Sequence, residues 1–199
     1  MVNNVVFDVN GVLVNTVSVE TASQFDYSID EAVMLLKMGM TDIWKKYDLG
    51  FYMTRESMID DFIAYFPQEE ELVRKVLTRR HMIVVNEEME KFLLDLKLKG
   101  IKVYLLSNVG YGDLNMVKKF RFAKEVDGAV YSCEEGKVKP DQEIFEALME
   151  KYGLKAEETV FIDDSGKNLK SAEQLGFKTV RYITPRKTKS EVYRIIATE

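Results

Sequence analysis

The chain of 199 residues has one cysteine, Cys133, and one histidine, His81. A single cysteine excludes an intrachain disulfide, and one of each cannot build a zinc site of the usual His/Cys kind. Catalysis by imidazole would have to rest on His81 alone. Positive charge is also short: 28 Lys and Arg against 33 Asp and Glu leave a formal net charge of −5. The basic residues are scattered, apart from Arg79-Arg80 and the stretch Arg186-Lys187-Lys189. Such a chain offers no electrostatic footprint for nucleic acid. No apolar run approaches the ~18 residues of a membrane span, and no basic leader or cleavage pattern precedes the first apolar stretch. These absences predict a cytoplasmic protein that binds neither membrane nor nucleic acid.

What the chain does have is carboxylate, which suits a hard cation such as Mg²⁺. Its apolar runs also alternate in kind. VVFDV (5–9), KVYLLS (102–107), GAVYS (128–132), TVFID (159–163) and KTVRY (178–182) read as strands. The second and fourth are continuous rather than alternating, as in strands buried on both faces. Residues 87–100, 140–153 and 165–177 carry apolar side chains at helical spacing and contain stop signals at Gly100, Gly153 and Gly176. Strand-helix alternation after residue 86 predicts an α/β fold with a doubly wound parallel sheet. Residues 16–85 break that rhythm with four amphipathic stretches and no convincing strand. They predict a small inserted all-α cap, the core being 1–15 plus 86–199. Trp44, Tyr47, Phe51, Tyr52 and the run MLLKMGM (34–40) read mainly as packing within that insert.

In doubly wound sheets, ligands bind beyond the carboxyl ends of the strands. The first strand ends at Asp8-Val9-Asn10-Gly11, the 102–107 strand at Ser107-Asn108, and the 159–163 strand at Asp163-Asp164. Lys139 precedes Pro140 at the start of a helix. Three carboxylates, a hydroxyl and an ammonium would therefore share one edge. Asn10-Gly11 between apolar runs also reads as a hairpin turn when taken alone.

Taken together, FDVNGVLVNT, LLSNVG, GKVKPDQEIFEAL and VFIDDSGKNLKSAEQLGFKTV resemble, in order, the four motifs of the haloacid dehalogenase-like hydrolase superfamily, across nearly the whole chain. IWKKYDLGFYMTRESMIDDF is similar to the small cap of the branch holding sugar-phosphate phosphatases and epoxide hydrolase N-terminal domains. The resemblance implies a Rossmann-like core and a Mg²⁺-dependent phosphatase of a small phosphorylated metabolite. Asp8 would attack phosphorus and form an aspartyl-phosphate. Mg²⁺ would be held by Asp8, the backbone carbonyl of Asn10 and Asp164, with Asp163 close by. Ser107, Asn108 and Lys139 would meet the phosphate, and backbone N–H groups after Asp8 would add donors.

Asn10 departs from the pattern. Family phosphatases usually carry Asp there, as the acid that protonates the leaving group and the base that activates water. A carboxamide has no titratable proton near neutrality. Asn10 therefore predicts retained metal and phosphate binding with weakened turnover, and it leaves open a phosphate-binding or regulatory protein of the same fold, or a related reaction such as phosphoryl transfer. Asn-Gly is also prone to deamidation, which would restore an acid at position 10. The sequence leaves a homodimer open.

Overall fold

The computed structural model describes residues 1–15, 27–79 and 84–198. His81 and Arg80 lie outside them. The chain runs β1 (Asn4–Phe7), β2 (Val14–Asn15), α1 (Ile29–Gly39), α2 (Ile43–Asp48), α3 (Arg55–Tyr65), α4 (Glu70–Arg79), β3 (Val84–Val85), α5 (Glu87–Leu98), β4 (Lys102–Ser107), α6 (Tyr111–Val117), α7 (Arg121–Glu125), β5 (Gly128–Tyr131), α8 (Ser132–Glu135), α9 (Gln142–Tyr152), β6 (Thr159–Asp163), α10 (Gly166–Gln174), β7 (Lys178–Arg181) and α11 (Pro185–Ala197). Five strands form one sheet in the order β5-β4-β1-β6-β7, and every pairing in it is parallel.

Burial on both faces explains the continuous apolar runs of β1 and β6. Val5, Phe7, Val103, Leu105, Val160 and Ile162 pack on one side with Met89, Phe92, Leu93 and Leu96 of α5. Val6, Tyr104, Leu106 and Phe161 pack on the other with Ile144, Phe145 and Leu148 of α9. The chain moves outward from β1 through β4 to β5, then crosses back to β6 on the opposite side of β1. The strand order thus reverses at β1, and the crevice for a ligand opens at its carboxyl end.

The hairpin alternative for Asn10-Gly11 is absent. β1 pairs in parallel with β4 and β6, and the loop after it closes on itself through Gly11 N–H donating to Val14 O at 2.8 Å. β1 ends at Phe7, so Asp8 opens the loop instead of sitting within the strand.

Helices α1 to α4 match the four amphipathic stretches of the insert. α1 starts with a reciprocal capping box between Ser28 and Glu31, and Thr54 caps α3 by accepting from Ser57 N–H. The block has its own apolar cluster of Met34, Met38, Tyr47, Met58, Phe62 and Leu77 among others. Two expectations need correction here. Val84–Val85 is a strand inside the region read as wholly helical. It pairs antiparallel with Val14–Asn15, joining the segments that enter and leave the block. Two residues are too few to carry a period. Phe51 was expected to pack, yet it is 72% exposed, as Met40 is at 74%. Their neighbours Tyr52 and Met38 take the inward positions. Among the described residues, no helix is long and apolar enough to cross a membrane.

Candidate active site

At the carboxyl end of β1 the buried polar residues gather. Asp8, Ser107, Lys139 and Asp163 are all buried. Lys139 Nζ lies 2.7 Å from Asp8 Oδ1 and 2.8 Å from Asp163 Oδ2, with its side chain 2% exposed. Lys137, two residues earlier in the same stretch, is exposed. Carboxylate oxygens of Asp8, Asp163 and Asp164 lie within 4.8 Å of one another.

The three carboxylates are not equivalent. Asp163 Oδ1 accepts from Ser165 N–H at 2.8 Å and Asn168 Nδ2 at 3.0 Å. Its Oδ2 accepts from Asn168 Nδ2 at 3.0 Å and Lys139 at 2.8 Å. Both oxygens are thus committed to donors. In Asp8, Val9 N–H and Lys139 both donate to Oδ1, and Oδ2 takes part in neither bond. Asp164 is exposed at the rim and lies against Gly11, where a Cβ would stand 2.5 Å from Asp164 Oδ2. Gly11 has φ +86°, so glycine is needed both for its backbone conformation and for the approach of that carboxylate.

Burial pushes the Asp8 carboxyl up to about 8; Lys139 opposes the rise and Asp163 adds to it. Asp164 is raised too, by partial desolvation of its carboxyl against the neighbouring loop and then by the charge of Asp163. For Lys139 burial works against the charge, but Asp163 and Asp8 more than offset it, so its ammonium is held above the ordinary lysine range. Fully ionised, three carboxylates against one ammonium leave two negative charges in excess. A divalent cation with oxygen ligands fits that excess, and Asp8 and Asp164 are the carboxylates not already saturated by donors.

The neutral residues form a frame. Asn10 Nδ2 donates to Asn108 O at 3.1 Å. Asn108 Nδ2 donates to Lys139 O at 2.9 Å, and Asn108 Oδ1 accepts from Lys139 N–H at 2.8 Å. Ser107 Oγ makes a long 3.4 Å bond to Asn108 O. The N–H groups of Val9, Gly11 and Val12 are bonded within their own loop, so they add less to a phosphate site than expected. The Gly11 nitrogen, which would have to attack the Asn10 side chain during deamidation, is among them.

Two participants escaped the sequence reading. Asn168 stands at the third position of α10, from which a side chain reaches back over the helix start; its spacing from Asp163 was the available signal. Ser132 Oγ accepts from Val109 N–H at 2.9 Å and donates to Asp48 O at 2.6 Å, joining the loop after β4 to the helical block. Nothing in the sequence around it marks that role. Cys133 is buried, and burial pushes its thiol up to about 11, which leaves it inert at neutral pH.

A buried acid just past a central strand, with paired acids and a buried lysine beside it on a parallel sheet, agrees with the hydrolase class that the motifs resemble. The family model for haloacid dehalogenase-like hydrolases matches residues 2–176, and the chain belongs to that family. It is 28% identical over 204 residues to acyl-CoA dehydrogenase family member 10 of Mus musculus, covering 96% of this chain but only 19% of that protein. It is 27% identical to D-ribitol-5-phosphate phosphatase of Bacteroides thetaiotaomicron, covering 90% of this chain and 91% of the relative. A HAD family enzyme of Bacteroides thetaiotaomicron, solved in complex with magnesium and inorganic phosphate, superposes with a TM-score of 0.71 at 25% identity, covering 92% of this chain and 95% of that one.

Proposed function

We propose that this chain is a Mg²⁺-dependent phosphatase of a small phosphorylated metabolite, acting through an aspartyl-phosphate on Asp8, with turnover lowered by Asn10. The observation that carries the reading is the convergence of Asp8, Asp163 and Asp164 around Lys139 at the strand-order reversal. The Bacteroides phosphatase and the magnesium and phosphate complex support the substrate class and the metal.

Asp8 supplies the attacking oxygen: its bond to phosphorus forms as the substrate's phosphorus–oxygen ester bond breaks, the departing alkoxide takes its proton from water because Asn10 has none to give, and water then hydrolyses the aspartyl-phosphate to release inorganic phosphate and restore Asp8. Lys139 holds Asp8 through Oδ1, which directs attack to Oδ2, and contributes positive charge beside the phosphate. The Ser107 hydroxyl, only weakly held at 3.4 Å, turns to donate to a phosphate oxygen. Asp8, the carbonyl of Asn10 and Asp164 would hold Mg²⁺, with Asp163 anchoring Lys139. Mg²⁺, when bound, lets an anionic nucleophile approach an anionic phosphate and spreads the developing charge. Helices α1 to α4 act as a cap that covers the site and excludes water.

Asn10 keeps its backbone carbonyl but carries no proton. General acid–base catalysis supplies about 10²–10⁴-fold, roughly 3–5 kcal/mol of barrier, and most of that should be missing. A panel of phosphorylated metabolites assayed with Mg²⁺, on the parent and on Asn10→Asp, tests the reading. Activity in the parent that rises in the variant supports it. Activity confined to the variant favours the phosphate-binding alternative. Activity in neither overturns it.

A further inference from the structure

The resemblance would put Asn108 on the substrate phosphate. Its bonds point elsewhere. Both ends of its carboxamide are taken by the main chain of one residue: Nδ2 donates to Lys139 O at 2.9 Å and Oδ1 accepts from Lys139 N–H at 2.8 Å. Its own main-chain carbonyl accepts from Asn10 Nδ2 at 3.1 Å. Asn108 therefore links the loop after β1 to the segment carrying Lys139. We infer that Asn108 is a positioning residue, which fixes the main chain of Lys139 so that its ammonium meets Asp8 and Asp163 together.

The lysine needs such support. Its flexible stem loses rotamer entropy when fixed, and the segment carrying it belongs to no regular element: Lys139 lies between α8 and α9. Val138 O accepts from Asp141 N–H at 2.9 Å, and Ser171 Oγ donates to Pro140 O. Those bonds hold the flanks, whereas the Asn108 pair holds Lys139 itself. A displacement on the order of 1 Å at a reacting group can lower a rate about 10²-fold. A carboxamide also offers a donor and an acceptor side by side, matching a peptide N–H and C=O, which a carboxylate cannot do.

The kinetic arm of the test rests on the phosphatase reading; a labelling arm does not. In the kinetic arm, Asn108→Ala, Lys139→Met and the double variant are compared by kcat/KM with Mg²⁺. Asn108→Ala is expected to lower kcat/KM about 10–100-fold. The double variant is expected to match Lys139→Met within about threefold, because residues acting through one another are not additive. Multiplying effects would mean that Asn108 acts on the phosphate by itself, and would overturn the inference. In the labelling arm, the metal-free protein is treated with a small amine-reactive acylating reagent and the Lys139 peptide is quantified by mass spectrometry. Asn108→Ala is expected to speed labelling of Lys139 about tenfold while exposed Lys137 reacts as before. An unchanged Lys139 rate overturns the inference. The labelling result stands if Lys139→Met does not fold, and also if no phosphorylated compound is turned over, an outcome that would count against the phosphatase reading alone.

Discussion

The sheet edge and the helical block are stabilised in opposite ways. At the sheet edge, Asp8, Lys139 and Asp163 are buried charges held by short bonds, surrounded by the carboxamides of Asn10, Asn108 and Asn168. The block holds itself together with an apolar cluster separate from both layers of the sheet core. Polar contacts join it to the core: Tyr47 Oη donates to Asp113 Oδ2 at 3.0 Å, Arg55 lies 3.3 Å from Asp113 Oδ1, and Ser132 bonds to Asp48 O. Gly110 and Gly112 carry no side chain where the Tyr47 ring and the Arg55 stem lie against them. The candidate site thus sits on the sheet edge, and the block is docked to the core through a few polar contacts between two separate apolar clusters.

Four changes break or sharpen this contrast. The largest effect is expected at the nucleophile: Asp8→Asn should abolish turnover of an activated aryl phosphate, by about 10⁴-fold or more, while circular dichroism still reports a folded chain. Next, Gly11→Ala should weaken Mg²⁺ binding at least about tenfold by calorimetry, since its Cβ would meet Asp164 and its φ disfavours a side chain. Unchanged affinity would remove Asp164 from the metal site. Third, Asp113→Ala should destabilise the chain by about 1–3 kcal/mol, because it strips partners from two largely buried groups. Hydrogen exchange should quicken in α2 and α3 and stay unchanged in β1 and β6. If the sheet exchanges faster as well, the two regions are one cooperative unit. The smallest effect is expected at Phe51→Ser, within about 0.5 kcal/mol in denaturant melts, as for most exposed positions.

Much of this was legible in the residues. Continuous apolar runs gave β4 and β6 their full extents, three strand-end motifs located Asp8, Ser107, Asp163 and Asp164, because strand ends on a parallel sheet converge, and the Lys-Pro step before a helix located Lys139. Helices α6, α7, α8 and α11 were not anticipated. Three of them are short, and their burial depends on the sheet beneath rather than on a period of their own. The reciprocal bonds of Asn108 and the Ser132 link were equally hidden: both join residues more than twenty positions apart through main-chain atoms, which no side-chain pattern records. Asn10 was legible as a missing acid, but its donation to Asn108 was not.

The most direct test of the central claim is acid quenching of the parent during turnover with Mg²⁺, followed by mapping of the phosphorylated peptide. With an activated aryl phosphate the leaving group needs no acid, so the missing base at position 10 slows only the hydrolysis step, and the account predicts a phosphoryl group accumulating on the peptide that carries Asp8, and less of it in Asn10→Asp. Turnover that leaves Asp8 unmodified in the parent, or that persists in Asp8→Asn, would contradict it.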